Sequence, residues 1–258
     1  MRNWNDLAKD ITSWIKDYAR DQNIQSLVVG VSGGVDSAVV STLCARTGIR
    51  TIVLNMPIHQ KSVQDNLSVG HISWLKDNFE NVEERSVDLS EIYDGFVKII
   101  SKNEVSDLAL ANTRARLRMT TLYATAGSNG GIVVGTGNKV EDFGIGFYTK
   151  YGDGGVDISP IADLYKSDVY AIGEELGIIR GILDAAPTDG LWNDGRTDED
   201  QIGASYDEIE WAMSESVSSK KGNLSEREKE VMEIYQRLNK TNLHKMKPIP
   251  VFKLYQDD

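Results

Sequence analysis

The residues with the clearest chemical meaning lie at 27–38, LVVGVSGGVDSA, where an apolar run ends in a short glycine-containing turn. Gly33 and Gly34 allow the backbone to adopt positive φ angles and let its N–H groups approach an anion closely. A helix that begins near Asp36 would direct the positive end of its dipole at the same anion. The sequence therefore predicts a strand, a phosphate-binding turn and the start of a helix.

Asp36 sets this turn apart from the common P-loop. The P-loop of kinases and GTPases carries a lysine in the corresponding turn, whereas this turn carries an aspartate and no lysine. A carboxylate beside phosphates is repelled unless a divalent cation lies between them. We therefore predict that Asp36 is a Mg²⁺ ligand. The alternative is that Asp36 only caps the helix.

A second segment, VVGTGNKVED at 133–142, has the same layout of a strand end, a turn of small residues and an acid. If the two strands are neighbours in a sheet, Thr136 can contact the nucleotide and Glu141 can share the metal ion with Asp36. The competing interpretation is that Glu141 is a solvent-exposed acid in the first turn of a helix.

An alternation of strands and helices would position these turns. After an amphipathic N-terminal helix, the hydrophobic patterns predict strands at 27–31, 51–57, 81–88 and 132–135, and helices at 36–47, 61–79, 89–101 and 104–127. The order βαβαβααβ predicts a single α/β domain over residues 1–258, with a Rossmann-like, doubly wound parallel sheet covered by helices on both faces. Ligands bind such sheets at the carboxyl ends of the strands, where Ser32, Met56 and Thr136 would lie.

The rest of the chain predicts helices separated by loops, at 166–176, 206–216 and 225–239. The tail at 242–255 contains prolines, which predict that it is not helical. Residues 187–205 are rich in Gly, Asp and Thr and lack periodicity. We expect them to form a loop that closes over bound substrates, with Trp192 or Ile202 packing inward.

Composition restricts the class of protein. The net charge of −11 over 258 residues disfavours nucleic-acid partners, because phosphate contacts need clustered Lys and Arg. Cys44 is the one cysteine, so an intramolecular disulfide is excluded and a small buried side chain is the expected role. We recognise no signal peptide and no membrane span, and we therefore expect a cytoplasmic location and no membrane partner.

The turn SGGVDS resembles the SGGxDS signature of the PP-loop ATP pyrophosphatases, which cleave ATP between its α- and β-phosphates and adenylate an oxygen of a second substrate. Over nearly the whole chain the resemblance narrows to the ammonia-dependent NAD synthetases. It rests on GTGNKVED, FYTKYGDGGVDISPIADLYKSDVYAIGEELG, PTDGLW, SYDEIE and a late HK pair. One departure concerns the surroundings of Asn138, since many members read GTDHAAE where this chain reads GTGNKVE.

The resemblance implies an adenine nucleotide alpha hydrolase-like fold and a homodimer. It implies Mg²⁺ as cofactor and ATP, deamido-NAD and free ammonia as substrates, with an NAD-adenylate as intermediate and NAD as product. The implied metal ligands are Asp36 and Glu141. The implied ATP contacts are Gly30, Val31, Ser32, Gly33, Gly34, Val35, Asp36, Ser37, Thr136, Lys166 and Thr188. The implied deamido-NAD contacts are Arg116, Lys150, Asp157, His244 and Lys245.

The residue types agree with several of these roles. Lys166 opens a helix, where a cation is unfavourable unless an anion such as ATP phosphate is nearby, so we predict a catalytic role for it. Asp153 lies in a glycine-rich loop, and we predict that it attracts ammonium and takes its proton. Taken without the resemblance, Lys166 could be an ordinary surface lysine, and Arg114, Arg116 and Arg118 could form a solvated basic face.

Two further functions remain open from the residues. One is another PP-loop amidating ligase that uses free ammonia, and the other is a non-catalytic nucleotide-binding sensor of the same fold. A glutamine-dependent enzyme would need a second catalytic unit with a nucleophilic cysteine, which we do not recognise in these 258 residues.

Overall fold

The computed structural model describes residues 3–59, 62–100, 105–188, 196–214 and 224–254, without the side chains of residues 62–65. A four-stranded parallel sheet forms its centre, with the strand order β3-β2-β1-β4. The strands are β1 (Ser26–Gly30), β2 (Arg50–Asn55), β3 (Val82–Ser86) and β4 (Gly131–Val133). β1 and β4 are neighbours, which brings the two turns that follow them to the same edge of the sheet.

Helices precede, connect and follow the strands. They are α1 (Trp4–Asp21), α2 (Val35–Arg46), α3 (Ser62–Asn78), α4 (Ser90–Ile100), α5 (Asp107–Ser128), a π-helix (Lys139–Ile145), α6 (Lys166–Glu175), α7 (Arg180–Leu183), α8 (Asp198–Ile202), α9 (Tyr206–Met213) and α10 (Glu226–Met246). No helix within the described residues is long and apolar enough to cross a membrane.

Successive residues of β1 point into different layers of the core. Leu27 and Val29 pack in a cluster with apolar residues of α1, α2 and α6. Val28 packs on the opposite face, in a cluster with Tyr93 of α4 and Ala126 of α5. Helices therefore cover both faces of the sheet, which confirms the predicted doubly wound arrangement.

A third hydrophobic cluster lies beyond the carboxyl end of β4. It joins the π-helix, α8, α9 and α10 through Val140, Ile145, Ile202, Ile209 and Val231. The prediction that 187–205 is a loop is wrong over α8, where Ile202 is 3% exposed and already packed. Trp192, the other residue expected to pack inward, lies outside the described residues.

The predicted non-helical tail is wrong over residues 242–246, because α10 continues through them. The side-chain amides of Asn239 and Asn242 donate to backbone carbonyl oxygens of the π-helix at 2.8 Å each, which holds this part of α10 in place. The helix ends at Met246, and the next residue, Lys247, has extended backbone, as a following proline favours.

Candidate active site

The turn between β1 and α2 is braced by its own serine side chains. Gly33 has a φ of 89°, a value that favours glycine. The Ser37 hydroxyl accepts a hydrogen bond from the N–H of Ser32 at 3.2 Å and donates to the carbonyl oxygen of Gly34 at 2.9 Å. The first N–H groups of a helix have no partner within the helix, and here they lie where the turn lines a cavity. The turn can therefore bind phosphate oxygens.

Asp36 does not cap α2. Gly34 occupies the capping position, and Asp36 lies in the first helical turn. Its carboxylate accepts hydrogen bonds from Nζ of Lys166 at 2.5 Å and from Nδ2 of Asn138 at 3.0 Å. The structure thus favours a role in the site over the alternative of a helix cap.

Lys166, the first residue of α6, joins the two predicted metal ligands. Its Nζ also lies 3.0 Å from Oε1 of Glu141, and the Lys166 side chain is only 4% exposed. Burial alone would lower the pKa of Lys166, but the charges of Asp36 and Glu141 raise it, so the ammonium stays protonated. Burial likewise disfavours the charged form of Glu141, yet Lys166 and Tyr206 hold its pKa below the ordinary value. Glu141 is therefore not a solvent-exposed helix acid.

Asn138 explains how this chain accommodates its departure from the more common motif. The residue is fully buried. Its Oδ1 accepts hydrogen bonds from the N–H groups of Val140 and Glu141, which starts the π-helix, while its Nδ2 donates to Asp36. One amide thus links the backbone of Glu141 to the carboxylate of Asp36. The sequence reasoning assigned no role to this side chain.

Tyr206 reaches the same cluster from α9. Its hydroxyl donates to Oε1 of Glu141 at 2.7 Å and makes a longer contact of 3.4 Å with Oδ2 of Asp198. Its ring lies 4.8 Å from Nζ of Lys166, in cation–π geometry. Burial raises the pKa of Tyr206, and the charges of Glu141 and Asp198 raise it further, so the hydroxyl remains a donor.

The donor set suits a hard divalent cation that is shared with a nucleotide. Mg²⁺ is commonly held by one or two carboxylates together with substrate phosphates, and Asp36 and Glu141 provide the two carboxylates. Within the described ranges, no group of three or more His, Cys, Asp or Glu side chains forms a metal site of its own. The ammonium of Lys166 contacts one oxygen of each carboxylate, Oδ2 of Asp36 and Oε1 of Glu141.

A cavity of about 450 Å³ lies at the carboxyl edge of the sheet and includes the turn and the carboxylate cluster. Of the predicted site residues, the cavity wall contains Gly30, Val31, Ser32, Gly33, Gly34, Val35, Asp36, Ser37, Thr136, Glu141, Asp153, Lys166, Thr188 and Lys245. The structure therefore brings the predicted nucleotide, metal and catalytic residues to one space. Their contacts with substrates stay predictions.

Asp153 lies in the part of the wall formed by the glycine-rich loop. Its Oδ1 accepts a hydrogen bond from the N–H of Thr149 at 2.9 Å, and the residue keeps exposed surface towards the cavity. Burial among protein atoms raises the pKa of Asp153, the bond from Thr149 opposes this rise, and the charge of Glu141 adds to it. The carboxyl group is placed to meet a small cation from the cavity.

Four predicted dinucleotide contacts lie outside the cavity wall. Arg116 donates to the carbonyl oxygen of Lys150, and Nζ of Lys150 donates to the carbonyl oxygen of His244 at 2.9 Å. Asp157 accepts from the N–H of Val133 at 2.7 Å, which ties the loop to β4. These bonds link α5, the glycine-rich loop and α10 beside the cavity, and the roles in dinucleotide binding stay predictions.

Three charged residues of the cavity wall, Asp142, Arg118 and Asp198, escaped the sequence reasoning. Asp142 follows Glu141, and burial, together with the charges of Glu141 and Asp153, raises its pKa to about 8. Arg118 was treated as part of a solvated basic face, but it is partly buried and lines the cavity. The available signal was the helical spacing of α5, which places 108, 112, 115, 118, 119 and 122 along one face of the cavity.

Fold and site together define an α/β nucleotide-binding protein of the PP-loop type. The family model described as NAD synthase matches residues 7–249, and the chain belongs to this family.

Relatives with high coverage share one name. The NH(3)-dependent NAD(+) synthetase of Finegoldia magna is 36% identical over 225 residues, covering 86% of this chain and 89% of that protein. The protein of the same name from Alkaliphilus metalliredigens is 38% identical over 255 residues, covering 93% and 96%. These identities extend over nearly the full length of both relatives.

Solved structures agree with the fold. NMN synthetase from Francisella tularensis superposes with a TM-score of 0.87 at 30% identity, covering 99% of this chain and all of that one. The NH3-dependent NAD synthetase from Campylobacter jejuni superposes with a TM-score of 0.79 at 23% identity, covering 98% of this chain and 100% of that one. The second likeness shows the fold alone.

Proposed function

We propose that the protein catalyses the ATP-dependent amidation of deamido-NAD by free ammonia to give NAD, AMP and pyrophosphate. It is a ligase of the NAD synthase family. The observation that carries the proposal is the convergence of the phosphate-binding turn, Asp36, Glu141 and Lys166 on one cavity. The two relatives that align over most of this chain are both named NH(3)-dependent NAD(+) synthetase, which supports deamido-NAD as the acid substrate and ammonia as the nitrogen donor.

Activation of the acid is the step that this geometry suits. A carboxylate is a poor electrophile, and adenylation gives it a leaving group. Amide groups of the turn and the ammonium of Lys166 would stabilise the phosphate oxygens as pyrophosphate departs. We further propose that Asp36 and Glu141 hold Mg²⁺, which when bound would draw negative charge from the α- and β-phosphates.

Ammonia must then reach the acyl-adenylate. At neutral pH it is mostly ammonium, which a carboxylate attracts and a base must deprotonate. Asp153 faces the cavity with a raised pKa and carries this role in our proposal. The adenylate also needs protection from water, because it would otherwise hydrolyse.

The resemblance to homodimeric enzymes has structural support on α4. Ile92, Phe96 and Ile99 recur at helical spacing and are 58%, 38% and 77% exposed. An apolar stripe of this kind is typical of a protein interface. We propose that it belongs to the dimer contact. Because the reaction consumes ATP and a dinucleotide metabolite, we also propose a cytoplasmic location.

A second acid should be compared with deamido-NAD as substrate, because the solved structure with a TM-score of 0.87 and 30% identity to this chain is that of an NMN synthetase. The corresponding acid here would be nicotinate mononucleotide, which shares the nicotinate ring and carboxylate but lacks the adenosine phosphate half. Both acids would use the same adenylation chemistry, so the discrimination is made by the rest of the cavity.

The test is product formation by the purified protein with ATP and Mg²⁺. Deamido-NAD and nicotinate mononucleotide are compared as acids, and ammonium and glutamine as nitrogen donors. We expect NAD from deamido-NAD with ammonium, and pyrophosphate release that depends on the acid. Faster turnover of the mononucleotide would favour NMN synthesis. Pyrophosphate release without either acid would contradict both assignments, and nucleotide binding without any turnover would favour a sensor.

A further inference from the structure

Arg118 is a charged side chain in the cavity wall for which the proposed reaction has so far supplied no role. It lies on α5, and its Nε donates to the carbonyl oxygen of Met56 at 3.0 Å. Met56 directly follows β2, so the guanidinium is fixed at the carboxyl end of a central strand. Its Nη2 atom is buried and has no hydrogen-bond partner within the described part of the chain.

This arrangement is costly in the absence of an anion. A buried donor without an acceptor loses its hydration and gains no bond in exchange, and a charged donor loses more than a neutral one. Burial and the neighbouring charge of Arg114 lower the pKa of Arg118 to about 10, and only the charge of Asp153 opposes this change. Asp153 is thus the one neighbouring acid that favours the charged form of the guanidinium.

The position of Arg118 limits what could supply that charge. It shares a face of α5 with Leu108, Asn112 and Ala115, and this face forms one wall of the cavity. The phosphate-binding turn follows β1, the strand next to β2. Because the turn, Asp153 and Arg118 line the same cavity, a molecule that fills it can reach the guanidinium.

We propose that Arg118 binds an oxyanion of a substrate through its guanidinium, which lacks a full set of acceptors within the described residues. Its planar fork is suited to phosphate and carboxylate oxygens, and its bond to Met56 orients the fork in advance. The anion belongs to ATP phosphate, to the dinucleotide diphosphate or to the carboxylate that becomes amidated. Naming these three sources rests on the proposed function.

Binding measurements on Arg118→Met and Arg118→Lys test the proposal without turnover. Three ligands are titrated by calorimetry in the presence of Mg²⁺: α,β-methylene ATP, deamido-NAD and NAD. Loss of a charge-assisted hydrogen bond should weaken one class of ligand about 10- to 100-fold in Arg118→Met. Arg118→Lys keeps the charge but loses the fork, so a smaller loss is expected.

The pattern of losses identifies the source of the anion. Weaker binding of the ATP analogue alone points to its phosphates. Weaker binding of deamido-NAD with unchanged NAD points to the carboxylate, and weaker binding of both dinucleotides points to their diphosphate. Each of these outcomes supports the proposal.

Arg50→Met is the matched control. Arg50 lies at the amino end of β2, away from the cavity at the carboxyl ends of the strands, and forms an exposed ion pair with Glu83. The variant should leave all three affinities unchanged. Unchanged affinities in Arg118→Met would overturn the proposal. So would equal losses for all three ligands with a lowered melting temperature, since that pattern indicates a structural role. Failure of the proposed function would appear separately, as wild-type protein that makes no NAD.

Discussion

Lys166 between Asp36 and Glu141 shows how the site can keep two carboxylates close together. Two buried carboxylates repel each other, and the ammonium balances them at 2.5 and 3.0 Å. In the proposed reaction, the same ammonium would become available to the phosphate oxygens when phosphates and a cation enter. The residue would then serve both the fold of the empty site and the chemistry of the filled one.

Asp36→Asn separates these two contributions. We expect ATP-dependent pyrophosphate release to fall at least about 100-fold, because the metal loses a charged ligand. The free energy of unfolding should fall by no more than about 3 kcal/mol, because Glu141 still pairs with Lys166. Denaturant titration and a pyrophosphate assay at saturating Mg²⁺ measure the two effects.

The control for this change is Asp163→Asn, since Asp163 is 93% exposed and pairs with Lys139 on the surface. This variant should leave both the rate of pyrophosphate release and the free energy of unfolding close to those of the parent protein. Equal pyrophosphate release by Asp36→Asn and the parent protein would contradict a metal-binding role for Asp36.

Tyr206→Phe removes a single hydrogen bond from the site. The ring that faces Lys166 is retained, while Glu141 loses the hydroxyl donor at 2.7 Å. A hydrogen bond to a charged group contributes about 1.5–3 kcal/mol, so we expect the apparent Mg²⁺ affinity during turnover to fall about 10- to 100-fold. Tyr235→Phe, in the same hydrophobic cluster, is the control. A loss in both variants would indicate altered packing and would speak against positioning by the Tyr206 hydroxyl.

The residues of this site differ in how far the sequence could predict them. Asp36 and Glu141 each follow a strand within a short motif, so local order along the chain is sufficient. Tyr206 is 65 positions from Glu141, and its contact depends on how α9 packs against the π-helix. Arg118 resembles its neighbour Arg116 in sequence, and only the rotation of α5 separates a cavity residue from an exposed one.

Among the elements, α3 supports α2 through a buried histidine. His71 is fully buried, its Nε2 lies 3.0 Å from Oγ of Ser41 on α2, and its ring stacks on Trp74. Ser41 Oγ donates its proton to the carbonyl oxygen of Ser37, so it can only accept in its bond with His71. We therefore assign the proton to Nε2 of His71, which donates to Ser41. Nδ1 is buried without a partner in the described structure, so protonating it would create an unsatisfied donor.

This environment predicts a loss of stability in mild acid. Burial lowers the pKa of His71 from 6.5 to about 4, so the unfolded chain takes up the proton first as the pH falls. The stabilising effect of neutral His71 is complete above pH 6.5 and is lost progressively towards pH 4. The total loss in the free energy of unfolding is about 3 kcal/mol. The free energy of unfolding, measured by denaturant titration across this range, should show that decline.

His71→Gln keeps a donor for Ser41 and cannot titrate in this range. The difference in unfolding free energy between parent and variant should therefore shrink as the pH is lowered from 6.5 to 4. A difference that stays constant would mean that His71 does not titrate as its burial requires.

The error at the end of α10 has a physical cause. Its last turns, from Asn239 to His244, contain several weak helix formers, and weight given to Pro248 and Pro250 placed the end of the helix too early. Bonds from Asn239 and Asn242 to the π-helix stabilise these last turns, and such long-range contacts leave no local signal. The sheet was predictable because alternating strands and helices constrain its topology.

The whole molecule presents an apolar surface that its own described residues leave open. Ile92, Phe96 and Ile99 form this stripe on α4 and are 58%, 38% and 77% exposed. Exposed apolar side chains at helical spacing on one face are better explained by an interface than by single exposed residues. A homodimer would bury them against the same surface of a second chain.

We therefore expect light scattering during size-exclusion chromatography to give twice the mass of one chain. Replacing Ile92 and Ile99 together with Glu places charges on the stripe, and the desolvation cost of burying them should shift the protein to a monomer at micromolar concentration. Trp14→Glu is the control, because Trp14 is 48% exposed on α1 and lies in a different part of the fold. A parent protein that stays monomeric, or an Ile92→Glu/Ile99→Glu variant that keeps the parent mass, would place any dimer contact elsewhere on the surface.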